Sequence, residues 1–176
     1  MKTIQCIFLG ATSSGKTSLI LHARHAQFRK PSPTIGVESS SYIHNDICVH
    51  CWDTSSNTRF TKVSMLFVKN ADIVIYVFDQ SSRQSLSIAL EWHERVLLQY
   101  SGKVHFLVGN KSDLATANVL SSLLEYPELQ YLTVDARCEN DVKQLFATFI
   151  NSVDHSVLEI ESDSPIVSNV DCCTCQ

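Results

Sequence analysis

The stretch IFLGATSSGKTSL, residues 7–19, decides the fold. An apolar run ends at Gly10, a row of small residues follows, and apolar positions resume at Leu19 and Ile20. GATSSGKT (10–17) fits G-x-x-x-x-G-K-[ST] between a strand-like and a helix-like segment, the context in which that pattern cradles phosphate. The physics is specific. Small residues let the loop turn its backbone N–H groups inward, and a helix N-terminus adds partial positive charge. Lys16 supplies a cation that reaches terminal phosphates, and Thr17 a hydroxyl for a divalent metal. Gly10, Ser13, Ser14, Gly15, Lys16, Thr17 and Ser18 are therefore the first candidate site residues.

Working outward, the chain alternates apolar runs with helical patterns. IQCIFLG (4–10), DIVIYVFD (72–79) and VHFLVGN (104–110) are continuous buried strands, and YLTV (131–134) is a short last one. SSYIHN and ICVHCWD (47–53) read as two strands joined at Asn45-Asp46. Helices are expected over 15–26 and 116–126. Leu86, Ala89, Leu90, His93, Val96, Leu97 and Tyr100 recur at helical spacing, as do Val142, Leu145, Phe146, Phe149, Ile150 and Val153. Continuous apolar strands between helices give an α/β fold: a mostly parallel six-stranded sheet with helices on both faces. Ligands of such sheets sit at the carboxyl ends of the strands.

The totals fit this. With 176 residues and 44% apolar composition, one domain buries enough surface to need no disulfide or structural metal. A net charge of −4 and the lack of a basic run argue against nucleic-acid binding. No apolar stretch reaches the roughly 20 residues of a membrane span. Cys6, Cys48, Cys51 and Cys138 are scattered in apolar or mixed stretches and read as free thiols of a reducing compartment. From Glu159 the composition turns polar and acidic, so residues 1–158 are expected to form the domain and 159–176 a flexible tail.

Three more motifs close strands. Asp53 ends ICVHCWD, where a carboxylate suits a metal contact through water. In VGNKSD (108–113), Asp113 can accept from the ring N–H and the amino group of guanine, a donor pair adenine lacks. The stem of Lys111 can cover the base, and Asn110 can meet its other edge. In DAR (135–137), Ala136 can present its N–H to the guanine carbonyl, with Arg137 beside it.

With PTIGVE (33–38) between the first helix and second strand, this order resembles the Ras-like small GTPases, P-loop NTPases, over residues 1–155. TIGVE before a WDT strand, GKTSLILHARHAQF and the cysteine-rich end resemble the Rab branch, with a lean toward its endosomal members. The resemblance implies a monomeric GTP/GDP switch in vesicle trafficking, using Mg²⁺, an exchange factor, an activating protein and effectors. It implies that Thr34 reaches Mg²⁺ and the γ-phosphate beside Thr17 and Asp53, and that Phe28 packs edge-on to the base. Lys16, Thr34 and Asn57 would then be the catalytic set.

Two departures bear on catalysis. The family's D-T-A-G-Q reads Asp53-Thr54-Ser55-Ser56-Asn57 here. Its glycine lends an N–H to the γ-phosphate. Ser56 keeps the N–H but adds a Cβ, costing about 1–2 kcal/mol if the bound state needs a positive φ. Its glutamine orients the attacking water, and the stem of Asn57 is one methylene shorter. A shortfall of about 1 Å can cost about 100-fold. Hydrolysis is therefore expected to be slow; the alternative is a GTP-dependent binding scaffold with negligible hydrolysis. A third departure concerns partners. The family's partner-facing aromatic cluster keeps Trp52 and Phe67 but has Ser39 in its third place; the two aromatics can equally be core.

CCTCQ ends the chain. In the Rab branch such cysteines receive prenyl groups, which points to Cys172 and Cys173 and to the cytoplasmic face of endomembranes, in exchange with the cytosol. A metal-binding cluster and unmodified thiols are the alternatives. No Lys or Arg follows Lys143, so two lipid chains would have to supply stable anchoring.

Overall fold

The computed structural model describes residues 2–25, 27–28, 31–115, 126 and 129–153. The expected helix over 116–126, apart from Tyr126, lies outside them, as do the tail and Cys172 and Cys173. Six strands form one sheet: β1 (Lys2–Gly10), β2 (Val37–His44), β3 (Ile47–Thr54), β4 (Ile73–Asp79), β5 (Val104–Asn110) and β6 (Gln130–Thr133). Their order is β2-β3-β1-β4-β5-β6, antiparallel between β2 and β3 and parallel elsewhere. The β2–β3 hairpin turns at Asn45 and Asp46, with φ of +46° and +64°. These short polar side chains tolerate the left-handed region that a two-residue hairpin favours.

Among the described residues the α-helices are α1 (Lys16–His25), α2 (Thr61–Val68), α3 (Arg83–Leu97) and α4 (Glu139–Asn151). Successive strand residues point to opposite faces. Ile4, Cys6 and Phe8 of β1 thus join Leu19 and Ile20 of α1 and Val142, Phe146 and Phe149 of α4 in one core. Ile7 and Leu9 join Met65 and Val68 of α2 and Leu86, Ala89 and Trp92 of α3 in the other. Both faces of β1 and β4 are covered, which is why their sequences are apolar almost throughout. Phe8 stacks on Phe146 at 6.0 Å between ring centroids and meets Phe149 edge-on at 6.4 Å.

Cys6 and Cys51 are opposite each other across β1 and β3, both buried and both free thiols. Burial pushes both thiols up from their ordinary pKa, which keeps them protonated and inert. Helix α2 was not anticipated from the sequence. In TKVSMLFV the apolar Val63 and Leu66 are exposed while Met65 and Val68 are buried with the polar Ser64, so no clean apolar stripe marks a surface helix.

Candidate functional site

The loop after β1 takes its shape from close backbone packing. Gly10 has φ +135°, and a Cβ there would lie 2.1 Å from the Val77 carbonyl oxygen of β4. Gly15 has φ +98°, and a Cβ there would lie 2.0 Å from Nδ2 of Asn110. Ser13, between them, is left-handed at φ +59°. Glycine is required at 10 and 15 by proximity as much as by dihedral freedom.

Lys16, at the start of α1, is 6% exposed. Its Nζ donates to the carbonyls of Ala11 (2.9 Å) and Gly10 (3.3 Å) and to Oγ of Ser56 (3.0 Å). Burial lowers its pKa to about 8, against the opposing pull of Asp53. A buried cation held mainly by neutral acceptors is favourably placed for an anion.

Beside it, three oxygen-bearing side chains from separate elements converge. Thr17 and Thr34 donate to Oδ2 of Asp53 at 2.6 and 2.8 Å, and their hydroxyls are 3.1 Å apart. Burial raises the Asp53 pKa, opposed by these hydrogen bonds and by Lys16. Its Oδ1 is buried and has no hydrogen-bond partner. One carboxylate and two hydroxyls, with a buried carboxylate oxygen unsatisfied, fit Mg²⁺, a hard cation that takes one or two carboxylates and completes its shell with phosphate and water.

At the far end, Asn110 of β5 is 1% exposed, and both ends of its amide are engaged. Nδ2 donates to the Ser14 carbonyl (2.8 Å), and Oδ1 accepts from the Ala136 N–H (3.0 Å). Asn110 and Ala136 both line the pocket, and together they tie the phosphate loop to the loop after β6. Nδ1 of His22 meets the Ala136 carbonyl at 2.7 Å from the other side.

Lys111 is left-handed at φ +59°, and its ammonium pairs with Asp79 at the end of β4. Burial works to raise the Asp79 pKa, but hydrogen bonds from Lys111 and Ser81 bring it below the ordinary value. Asp113 pairs with Arg137 at 2.7 Å, and Arg137 also holds Asp135. The Asp113–Arg137 pair is exposed and therefore weak, so it can yield to a ligand.

These groups surround one pocket of about 720 Å³, within the range for small-molecule sites. Of the residues expected from the sequence, Ser13, Gly15, Lys16, Thr17, Ser18, Phe28, Thr34, Ser56, Asn57, Asn110, Lys111, Asp113, Ala136 and Arg137 line it. Gly10, Ser14 and Asp53 stand behind the lining. Phe28 is 45% exposed at the rim.

Ser56 is not left-handed, so it carries no such strain in this conformation. The amide oxygen of Asn57 accepts from the Arg59 N–H at 3.0 Å and caps the turn Thr58–Phe60. Trp52 packs on Phe67 and His50 at 4.5 and 4.4 Å between centroids, and Ser39 lies opposite Trp52 across β2 and β3. Asp79, Leu114 and Asp135 were not singled out in the sequence. Asp79 ends a buried strand as Asp53 does, and that signal was available.

The Ras family model matches residues 5–155. Among curated relatives, Ras-related protein Rab-1 of Theileria parva is 26% identical over 171 residues, covering 90% of this chain and 78% of its own length. GTP-binding protein YPT53 of Saccharomyces cerevisiae is 28% identical over 163 residues, 83% and 74% of the two chains. Ras-related protein Rab-17 of Mus musculus is 26% identical over 153 residues, 81% and 72%.

Proposed function

Because the chain belongs to the Ras family and is a Rab-like small GTPase, we propose that it is a Mg²⁺-dependent GTP/GDP switch in vesicle trafficking that hydrolyses GTP slowly. The observation that supports this best is the single pocket joining the Lys16 ammonium, the lining hydroxyls of Thr17 and Thr34 that reach Asp53, and the Asp113 carboxylate. One molecule carrying phosphates at one end and guanine at the other fits all three.

Lys16 and the inward N–H groups of the loop hold the phosphates. Thr17, Thr34 and Asp53 hold Mg²⁺, which when bound neutralises phosphate charge and orients the terminal group. Asp113 releases Arg137 and accepts from guanine, while Asp79 anchors Lys111 along the pocket wall. Asn110 fixes the distance between the phosphate and base ends. Attack on the terminal phosphate needs an oriented water, and Asn57 supplies it poorly. Its stem is short, and its oxygen is occupied by the Arg59 N–H.

That same cap favours a second reading, a GTP-dependent scaffold with negligible hydrolysis. Single-turnover hydrolysis with and without a Rab-activating protein separates the two. A rate that neither rises with the activator nor exceeds the water background supports the scaffold.

Residues 1–158 are the switch domain in this reading. Residues 159–176 carry Cys172 and Cys173 for prenyl attachment to the cytoplasmic face of endomembranes. Exchange factor, activating protein and effectors act on the monomer. Asp113→Asn tests the base assignment. It presents a donor to guanine's own donors, so preference should move from guanine toward xanthine nucleotides with a guanine penalty of at least about 2 kcal/mol. Unchanged GTP affinity in that variant removes the assignment.

A further inference from the structure

Ser56 gives the phosphate-loop lysine a partner that a residue without a side chain at that position cannot supply. An ammonium has three donors and no acceptor. Lys16 has three acceptors in reach, the carbonyls of Ala11 and Gly10 and the Ser56 hydroxyl, so its capacity is filled. The hydroxyl is also well placed from its own side. The Ser55 N–H donates to the Gly36 carbonyl at 2.8 Å, which ties this segment to the one bearing Thr34. The Asn57 N–H reaches Oγ of Ser55 at 3.3 Å, and the Asn57 side chain caps the next turn. The residues on each side of Ser56 are thus held.

We propose that the Ser56 hydroxyl sets which nucleotide this pocket prefers: it holds Lys16 when the bound nucleotide ends at the β-phosphate, and a γ-phosphate must displace it. The proposal rests on the guanine-nucleotide reading above. Donor counting carries it. A diphosphate takes one N–H of Lys16 and leaves two, enough for a loop carbonyl and Ser56. A triphosphate takes two and leaves one, so the Ser56 contact is lost and its segment must move. A hydrogen bond to a charged group as buried as Lys16 is among the stronger ones, and its loss falls on the triphosphate state alone. The protein therefore carries a built-in bias toward the diphosphate.

The test is equilibrium titration of the full chain with fluorescent GDP and a slowly hydrolysed fluorescent GTP analogue. Ser56→Ala removes only Oγ. The affinity ratio should move toward the triphosphate by about tenfold, roughly 1.4 kcal/mol, chiefly through tighter triphosphate binding, because the contact already made without a γ-phosphate no longer has to be broken. Ser56→Thr keeps the hydroxyl and should keep the natural ratio. Ser56→Gly also lacks the hydroxyl and should shift the same way as alanine, so the test stands if one variant folds poorly. A ratio that stays fixed, or that moves toward the diphosphate because the hydroxyl had been donating to the γ-phosphate, overturns the proposal. If the natural chain binds neither nucleotide, the guanine-nucleotide reading itself fails instead.

Discussion

The contact between Gly15 and Asn110 can be tested as a coupled pair. In Gly15→Ala the new Cβ would lie 2.0 Å from Nδ2 of Asn110, and the backbone stays at φ +98°. The left-handed backbone costs about 1–2 kcal/mol for a residue with a Cβ. The collision cannot be relieved by a small rotation, because the amide is anchored at 2.8 Å to Ser14 and at 3.0 Å to Ala136. Expelling it leaves a buried carbonyl and a buried N–H without their partner, each worth about 1–3 kcal/mol. Because the pocket admits some water, the low end applies, and Gly15→Ala should cost about 3–4 kcal/mol of folding stability. Asn110→Ala leaves the same two groups unpaired and should cost about 2–3 kcal/mol. In the double variant there is no amide to expel, so only the backbone term adds. The pair should fall about 2 kcal/mol short of the sum of the singles. Urea unfolding of the four proteins at one fixed GDP concentration, with slopes compared to confirm that only the midpoint moves, measures this. Additivity within about 0.5 kcal/mol would refute the reasoning. It would mean that Gly15 matters for its dihedral alone and that the amide clamp is incidental.

The metal assignment predicts that Thr17→Ala keeps the fold but needs more Mg²⁺ for half-maximal GTP binding; equal Mg²⁺ dependence in both proteins counts against the site. The Lys16 pKa of about 8 predicts a pH profile. Bound phosphate favours the ammonium, so the complex holds more protons than the unliganded protein above that value, and affinity is level below it and weakens above it. A loss of about tenfold between about pH 7 and 9 is expected in nucleotide titrations, and a flat profile refutes it. Restoring the family spelling with Ser56→Gly and Asn57→Gln should raise single-turnover hydrolysis at least about tenfold, roughly 1.4 kcal/mol of barrier, from a rate below that of Ras itself, on the order of 10⁻⁴ s⁻¹. If Asn57→Gln alone gives the whole gain, Ser56 plays no part in hydrolysis.

What was legible in the sequence is what a local stretch can encode. GATSSGKT specifies strand, turn and helix within a few residues, and Lys16 and Thr17 fall where the pattern puts them. The hairpin at Asn45-Asp46 and the continuous strands β1, β4 and β5 were readable for the same reason: turn chemistry and two-sided burial leave a local mark. Asn110 shows where locality ends. Read within VGNKSD it is one of three residues aimed at a base. In the folded chain its partners are Ser14, 96 positions away, and Ala136, 26 away, and those contacts exist only once β1, β5 and β6 lie in register. Asp79 is a milder case, since its partner Lys111 is set by the adjacency of β4 and β5.

Ser56 shows a different limit. Comparing a motif with its family spelling reveals what a substitution takes away, here the freedom of a glycine. The folded backbone at 56 is not left-handed, so that loss is not felt in this conformation. What the substitution adds is a hydroxyl 3.0 Å from an ammonium 40 positions earlier in the chain, a contact no local reading contains. Both effects oppose the triphosphate through different atoms. A Cβ cost in the closed switch weakens triphosphate binding, and so does the hydroxyl that a γ-phosphate must displace from Lys16. Ser56→Ala separates them, because alanine keeps the Cβ and loses only the hydroxyl. A rise in triphosphate affinity already present in Ser56→Ala assigns the bias to the hydrogen bond. If Ser56→Ala leaves both affinities unchanged while Ser56→Gly raises triphosphate affinity alone, the bias belongs to backbone strain.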